Sequence, residues 1–239
     1  MPKVKLIASP VEKDLIPAIA AARCYSDLPN DELYDARAEQ DPAKRAKFIQ
    51  GVMKTGHLST IEHVSFTFMI EDVSRAFLAQ ITRHRMASFS VQSQRYVKVD
   101  GECGQWYVVP PAIDGDEEAL QVFLDAMHDA IYAYNLLVDR LKALGRTDEE
   151  AQEDARFVLP QATGTKMVVT MNARELLHFF SLRCCNRAQW EIRDVAWQML
   201  NLAEGACPSL FRYAGPSCAV TGTCPEGKRS CGKPYGRRT

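Results

Sequence analysis

Apolar residues return at helical spacing in some stretches of the chain and at alternate positions in others, and these two periods divide it into elements. The longest helical pattern is Glu117–Leu144. There Leu120, Phe123, Leu124, Met127, Ile131, Val138 and Leu141 recur every few residues, and Gly145 supplies the stop. The same spacing predicts helices at Asp14–Cys24 (Pro17 in its first turn), Ser74–Arg83, Asp148–Val158, Ala173–Arg183 and Ala188–Ala203. Asp41 followed by Pro42 predicts a capped helix running to about Thr55. Alternation predicts strands at Lys3–Ser9, Val64–Ile70 and Thr165–Thr170, with short ones at Tyr96–Val99 and Trp106–Val109. The acidic stretch from Asp27 to Asp41 reads as a surface loop. Strands and helices do not alternate regularly. The expected class is therefore α+β, a single domain with a mainly antiparallel sheet packed against long helices.

Composition narrows the function classes. The 239 residues are 46% hydrophobic and 25% charged with a net charge of −1, which excludes rods, collagen-like repeats and bulk disorder. No apolar run approaches the roughly 18 residues of a membrane span, and the N-terminus does not read as a secretory signal. A cytoplasmic location follows as the expectation, with no membrane partner. The near-neutral total conceals an excess of Arg, 18 against 11 Lys, and Arg offers a planar fork for carboxylate and phosphate. It also conceals a basic tail: Cys224–Thr239 carries five basic residues and one acid. Residues 216–239 are set apart as a Cys/Gly/Pro-rich tail following a body of residues 1–215. Four of the eight cysteines, Cys207, Cys218, Cys224 and Cys231, crowd the C-terminal end without a C-x2-C knuckle, a weak signal for zinc. No metal site is expected.

The absences are informative. There is no G-x-G-x-x-G for a dinucleotide fold and no G-x-S-x-G elbow. His57 and His63 stand about 120° apart on a helix, poor geometry for a shared metal, so Ser59 with Glu62 reads better as a capping box. Asn172 with Glu175 reads as a second box, and Arg174 and His178 share one helix face. A helix N-terminus there would also receive phosphate. Cys184 and Cys185 lie beside Arg183 and Arg187, which could lower a thiol pKa, but buried inert thiols are commoner. The densest feature is the string from Arg83 to Tyr96. Gln80, Arg83, His84, Arg85, Ser88, Ser90, Gln92, Ser93, Gln94 and Arg95 supply donors without a neighbouring acid, a composition suited to a phosphorylated ligand.

That string, RHRMASFSVQSQR, fits R-H-R-x7-S-x-R and resembles the signature of flavin-dependent thymidylate synthases. The order GHLSTIEH, ARFVLP, NAREL and LRCCNRAQWEIR around it is similar to that family too, so the resemblance covers roughly residues 1–215. It implies methylation of dUMP at C5 to dTMP, with methylenetetrahydrofolate as carbon donor, NADPH as reductant and FAD as hydride relay. It implies a homotetramer with shared active sites and no cysteine nucleophile. By position, His57, Ser59, Arg83, His84, Arg85, Asn172, Arg174 and His178 would contact FAD. Gln80, Arg83, Ser93, Gln94, Arg95, Arg156 and Arg183 would hold dUMP, with Arg183 against the pyrimidine favouring its ionised form. Two positions depart from the family pattern: Val91 stands where many members have Glu, and His178 where many have Asn. The tail lies outside the resemblance, and one expectation for it is attraction of NADPH phosphates or a polyglutamyl folate. The reading from another class is a nucleic-acid-binding module using the R-H-R segment and the tail; the resemblance disfavours it and implies no nucleic-acid partner.

Overall fold

The computed structural model describes residues 1–99, 101 and 106–236. From the N-terminus the elements are β1 (Lys3–Ala8), α1 (Leu15–Arg23), α2 (Asn30–Ala38) and α3 (Pro42–Lys54). A 3-10 turn at Leu58–Ile61 leads into β2 (Ser65–Ser74), α4 (Arg75–Ile81) and β3 (Ala87–Val91). Next come α5 (Pro111–Asp114), α6 (Glu117–Ala143), α7 (Asp148–Ala155) and a 3-10 turn at Arg156–Val158. The chain ends with β4 (Gly164–Asn172), α8 (Ala173–Arg183), α9 (Trp190–Ala206), α10 (Pro208–Phe211), α11 (Ser217–Thr221) and a 3-10 turn at Gly227–Arg229. The four strands form an antiparallel sheet in the order β1-β2-β4-β3, so the architecture is α+β.

Strand β2 pairs with β4 and contains one irregularity with a local cause. Thr67 faces Thr170 through a 2.9 Å hydroxyl pair, and Ala173 N–H donates to Val64 O at 2.7 Å. Just beyond the strand, Arg75 N–H donates to Thr163 O at 2.9 Å and Ala76 N–H to Gln161 O at 3.1 Å. Within β2, Asp72 has a φ of 59°, in the left-handed region that Asp tolerates better than most. Up to Ile70 alternate side chains of β2 are buried; past Asp72, Val73 and Ser74 are buried in succession. The two-residue period of the strand is therefore interrupted at Asp72.

Two compact units are distinguished, one holding residues 71–80 and 90–167, the other residues 2–70, 81–89 and 168–239. In the first, Tyr134 and Val138 of α6 pack with Ala151 and Ala155 of α7, and the Tyr134 hydroxyl accepts from Val99 N–H at 3.4 Å. In the second, Phe66, Phe179, Phe180 and Phe211 are wholly buried, and their rings meet edge to face at 5.2–6.0 Å. Truncating one such ring to Ala costs about 3–5 kcal/mol, so this stack is a principal source of stability for its unit. The described part of the tail lies in the same unit. Tyr235 packs on Trp197 at 5.4 Å and its hydroxyl donates to Asn186 Oδ1 at 2.7 Å, while Arg187 pairs with Glu226 at 3.0 Å.

Several elements depart from expectation. Residues 27–41 contain α2 rather than a continuous loop: Asp31 and Glu32 sit at its positive end, Arg37 at its negative end, and Leu33 alone is buried. One buried residue in nine gives almost no periodic signal. The segments 96–99 and 106–109 are not strands among the described residues; Tyr107 makes only an isolated bridge to Thr163. The strand of this region is β3, inside the donor-rich string, where no strand was expected; Ala87, Phe89 and Val91 alternate there with two serines that face outward. Ser59 lies within the 3-10 turn and forms no capping box.

Candidate functional site

Helix α8 organises the second unit's polar cluster. Asn172 caps it by accepting from Glu175 N–H at 2.9 Å. The return half of the expected box is missing because the Glu175 carboxylate is used elsewhere: its Oε1 lies 2.9 Å from His84 Nδ1. His84 arrives from the short non-helical segment after α4. That segment buries His84 to 5% exposure and leaves Arg83 and Arg85 exposed on either side. At the far end of α8, Arg183 Nε donates to His84 Nε2 at 3.1 Å. The ring also meets the edge of Phe179 at 4.9 Å.

These contacts fix a protonation state. A guanidinium has only donors, so Nε2 must be bare to accept from it, and the proton of a neutral ring must then sit on Nδ1, facing Glu175. Burial, the leading cause, pushes the His84 pKa down; the Glu175 hydrogen bond opposes this, while Arg183 reinforces it. The neutral ring agrees with both hydrogen bonds. Arg183 is likewise held below its ordinary value, first by burial and then by the positive charge of Arg83.

Beside this chain of contacts lies a cleft of about 560 Å³, within the range typical of small-molecule sites. Leu58, Met86 and Leu177 give it apolar surface, while Glu62, Asn172, Arg174, Glu175 and His178 border it with polar groups. Arg174 and His178 do share one exposed face of α8, and Arg174 is ion-paired to Glu62. Of the residues expected at a cofactor, Asn172, Arg174 and His178 therefore line one cleft. His57 and Ser59 are exposed on either side of Leu58, and Arg85 precedes Met86. His84 is committed at both ring nitrogens. Sequence reasoning missed Leu58, Met86 and Leu177, whose apolar side chains carry no chemical signature. It also assigned Glu175 and Glu62 to helix caps.

The residues expected at the nucleotide, Arg183 and Arg83 aside, belong to the first unit. Arg95 is held by two acids of α7, its Nη2 at 2.8 Å from Glu149 and its Nε at 2.8 Å from Glu153, the latter poorly aligned for a hydrogen bond. The string does have compensating acids, Glu149 lying 54 residues further along the chain than Arg95 and Glu153 one helical turn beyond it. Ser93 Oγ accepts from Arg95 N–H at 3.2 Å, Gln80 Nε2 donates to Ala76 O at 3.2 Å, and Gln94 is half-buried. Arg156 Nε donates to Glu153 O at 3.1 Å, and its charge, after burial, lowers the pKa of Arg75.

The remaining motifs settle more quietly. Cys184 is wholly buried and Cys207 nearly so, with burial pushing the Cys207 thiol up, away from nucleophilic character. Among the described residues no three or more His, Cys, Asp or Glu side chains gather closely enough to hold a metal, and the terminal cysteines are free thiols. Cys103 lies outside the described residues. No described helix is long and apolar enough to cross a membrane.

Comparison with known proteins agrees with this architecture. The family model described as "Thymidylate synthase complementing protein" matches residues 5–209. The chain is 48% identical over 231 residues, 97% of its length, to the flavin-dependent thymidylate synthase of Geobacter sulfurreducens, covering 94% of that protein. It is 46% identical to that of Clostridium tetani, over 97% of this chain and 93% of the relative. The chain belongs to the flavin-dependent thymidylate synthase family. A solved structure, the UMP/dUMP methylase PolB from Streptomyces cacaoi bound with 5-Br dUMP, superposes with a TM-score of 0.72 at 26% identity. The likeness covers 88% of this chain and 93% of that one.

Proposed function

We propose that this enzyme methylates dUMP at C5 to give dTMP, using methylenetetrahydrofolate as carbon donor, NADPH as reductant and a bound flavin. The observation that carries the reading is Arg183, a guanidinium held by a neutral imidazole in the unit whose cleft gathers Asn172, Arg174 and His178. The names of the relatives and the 5-Br dUMP in the PolB structure support the choice of substrate. The electron count supports the choice of co-substrates. A methylene carbon needs two electrons to become methyl; NADPH provides them, so the folate leaves as tetrahydrofolate and is not itself oxidised. FAD, when bound, supplies the hydride relay.

The residues present fit a flavin. Leu58, Met86 and Leu177 offer apolar surface to a ring system, and Asn172, Arg174 and His178 offer donors to its polar edge. His57, Ser59, Arg83 and Arg85 would extend that contact. For dUMP, Arg95 would take the phosphate as a fork, with Ser93, Gln94, Gln80, Arg83 and Arg156 around the nucleotide. Arg183⁺ would lie against the pyrimidine and stabilise the negative charge that accompanies loss of the N3 proton. That charge raises electron density at C5, which then attacks the one-carbon unit. Such activation requires no thiol addition to the ring.

The chain would work as a homotetramer with shared active sites. Val122, Tyr132 and Leu136 are 58–70% exposed on α6 and fall within about 80° of one another around the helix, an apolar face suited to a neighbouring copy. The test of the whole reading is tritium release from C5-labelled dUMP. Release that requires both the folate and NADPH is expected; release without either, or none at all, overturns it.

A further inference from the structure

The histidine of the R-H-R motif has both ring nitrogens engaged within the protein. His84 is buried, its side chain 4% exposed and that of its partner Glu175 10%, and each ring nitrogen already has a partner within 3.1 Å. We propose that Glu175 and His84 are positioning residues for Arg183: the carboxylate locks the imidazole in its Nδ1–H form, and the bare Nε2 then holds the guanidinium by its Nε–H. The inference rests on the proposed role of Arg183 against the pyrimidine.

With the other tautomer, Nε2–H would confront Arg183 Nε–H, donor against donor, and Nδ1 would present a lone pair to a carboxylate. One proton placement satisfies all three groups, and Glu175 selects it. Glu175 is itself fixed, because its backbone N–H is bound by the Asn172 cap at the start of α8. Arg183 stands at the end of the same helix, so a rigid rod and a buried ring meet the guanidinium from two directions. Among the described residues Arg183 makes no other hydrogen bond, which leaves both Nη groups for substrate. An Arg side chain loses rotamer entropy when it is ordered, and fixing its Nε beforehand removes part of that cost from substrate binding.

A double-variant cycle on the flavin-loaded enzyme tests the relay. Glu175→Ala is expected to lower kcat/KM for dUMP about 30-fold through misplaced contact, and Arg183→Ala at least about 100-fold. If Glu175 acts through Arg183, the double variant resembles Arg183→Ala alone; independent roles would multiply the losses. Glu175→Gln, whose amide oxygen still accepts from Nδ1–H, is expected to stay within about 3-fold of the parent. A purely structural need for buried charge would not give that rescue. ¹⁵N spectra of histidine-labelled protein supply a second readout: Nδ1–H at His84 in the parent and in Glu175→Gln, a mixture in Glu175→Ala. Should the Ala variant fail to fold, Glu175→Met, close in volume and without an acceptor, takes its place. Multiplicative losses, or an Nδ1–H ring that persists without the carboxylate, overturn the relay. A parent enzyme without turnover overturns the functional reading instead, and the spectra still decide whether Glu175 sets the tautomer.

Discussion

Two arginines, each held by carboxylate chemistry, behave differently because one cluster is buried and the other is wet. Arg183 is reached through a ring and an acid whose side chains are 4% and 10% exposed. Arg95 is gripped by Glu149 and Glu153, all three side chains 41–42% exposed. In the first cluster a lost partner leaves an unsatisfied group away from water, so the arrangement resists change. In the second, water and salt compete for each charge and the pair contributes little. The buried cluster suits a guanidinium that must keep one orientation toward a ring. The exposed one suits a guanidinium that exchanges partners when a phosphate arrives.

The largest expected effect is at the buried end. Arg183→Ala should abolish turnover, by at least about 100-fold in tritium release, with flavin absorbance retained. Full activity would end the role assigned to it. Next comes stability: Glu175→Ala leaves the His84 Nδ1–H without its partner and should cost about 2 kcal/mol in denaturant unfolding. The same cluster predicts a pH dependence. In the unfolded chain His84 titrates near 6.5, whereas in the folded protein burial and Arg183 lower it, with Glu175 opposing and His178 adding slightly to the lowering. Below about 6.5 the unfolded state therefore binds the proton more readily. Stability present above that pH is lost as pH falls through this window toward the folded value. Thermal melts should show the decline in the parent and a flatter profile in His84→Gln, which cannot titrate.

How much of this was legible in the sequence follows the same division. Elements with a strong period were read nearly to the residue: Asp41 and Pro42 start α3, and α6 ends at Ala143 before Gly145. Helix α2 and strand β3 were not, because one buried side chain in nine and a run of serines give little hydrophobic contrast. At the site, Arg174 and His178 were placed on one face by simple four-residue spacing. Glu175 was misassigned, because a Glu three residues after Asn signals a capping box whatever its carboxylate finally does. The His84–Glu175 contact spans 91 residues, and the acids that hold Arg95 come from another helix. No local rule reports such pairs; only the folded chain brings them together.

The tail offers an intermediate case, half-exposed yet packed. Removing residues 224–239 deletes the Tyr235 stack on Trp197, the Tyr235–Asn186 bond and the Arg187–Glu226 pair, all around the turn that follows Arg183. The aromatic contact and the ion pair together imply a loss of about 1–2 kcal/mol, read as a fall in Tm. The same truncation tests the tail's charge. Raised Michaelis constants for NADPH or the folate are expected if it attracts their anionic groups, and unchanged constants for both would defeat that idea.

The smallest effect belongs to the clasp on Arg95, and it is the sharpest probe of the comparison. Glu149→Gln with Glu153→Gln removes both charges while keeping size. Because exposed pairs contribute at most about 1 kcal/mol, the variant should unfold within that margin of the parent, and the difference should shrink further in high salt. If the two acids compete with phosphate for Arg95, their removal lowers KM for dUMP by up to about fivefold, the binding equivalent of the same 1 kcal/mol. The opposite sign would erase the distinction between the two arginines. A KM that rises would mean that the acids hold Arg95 ready for the nucleotide, as His84 is proposed to hold Arg183, and that exposure alone does not separate an exchangeable arginine from a fixed one.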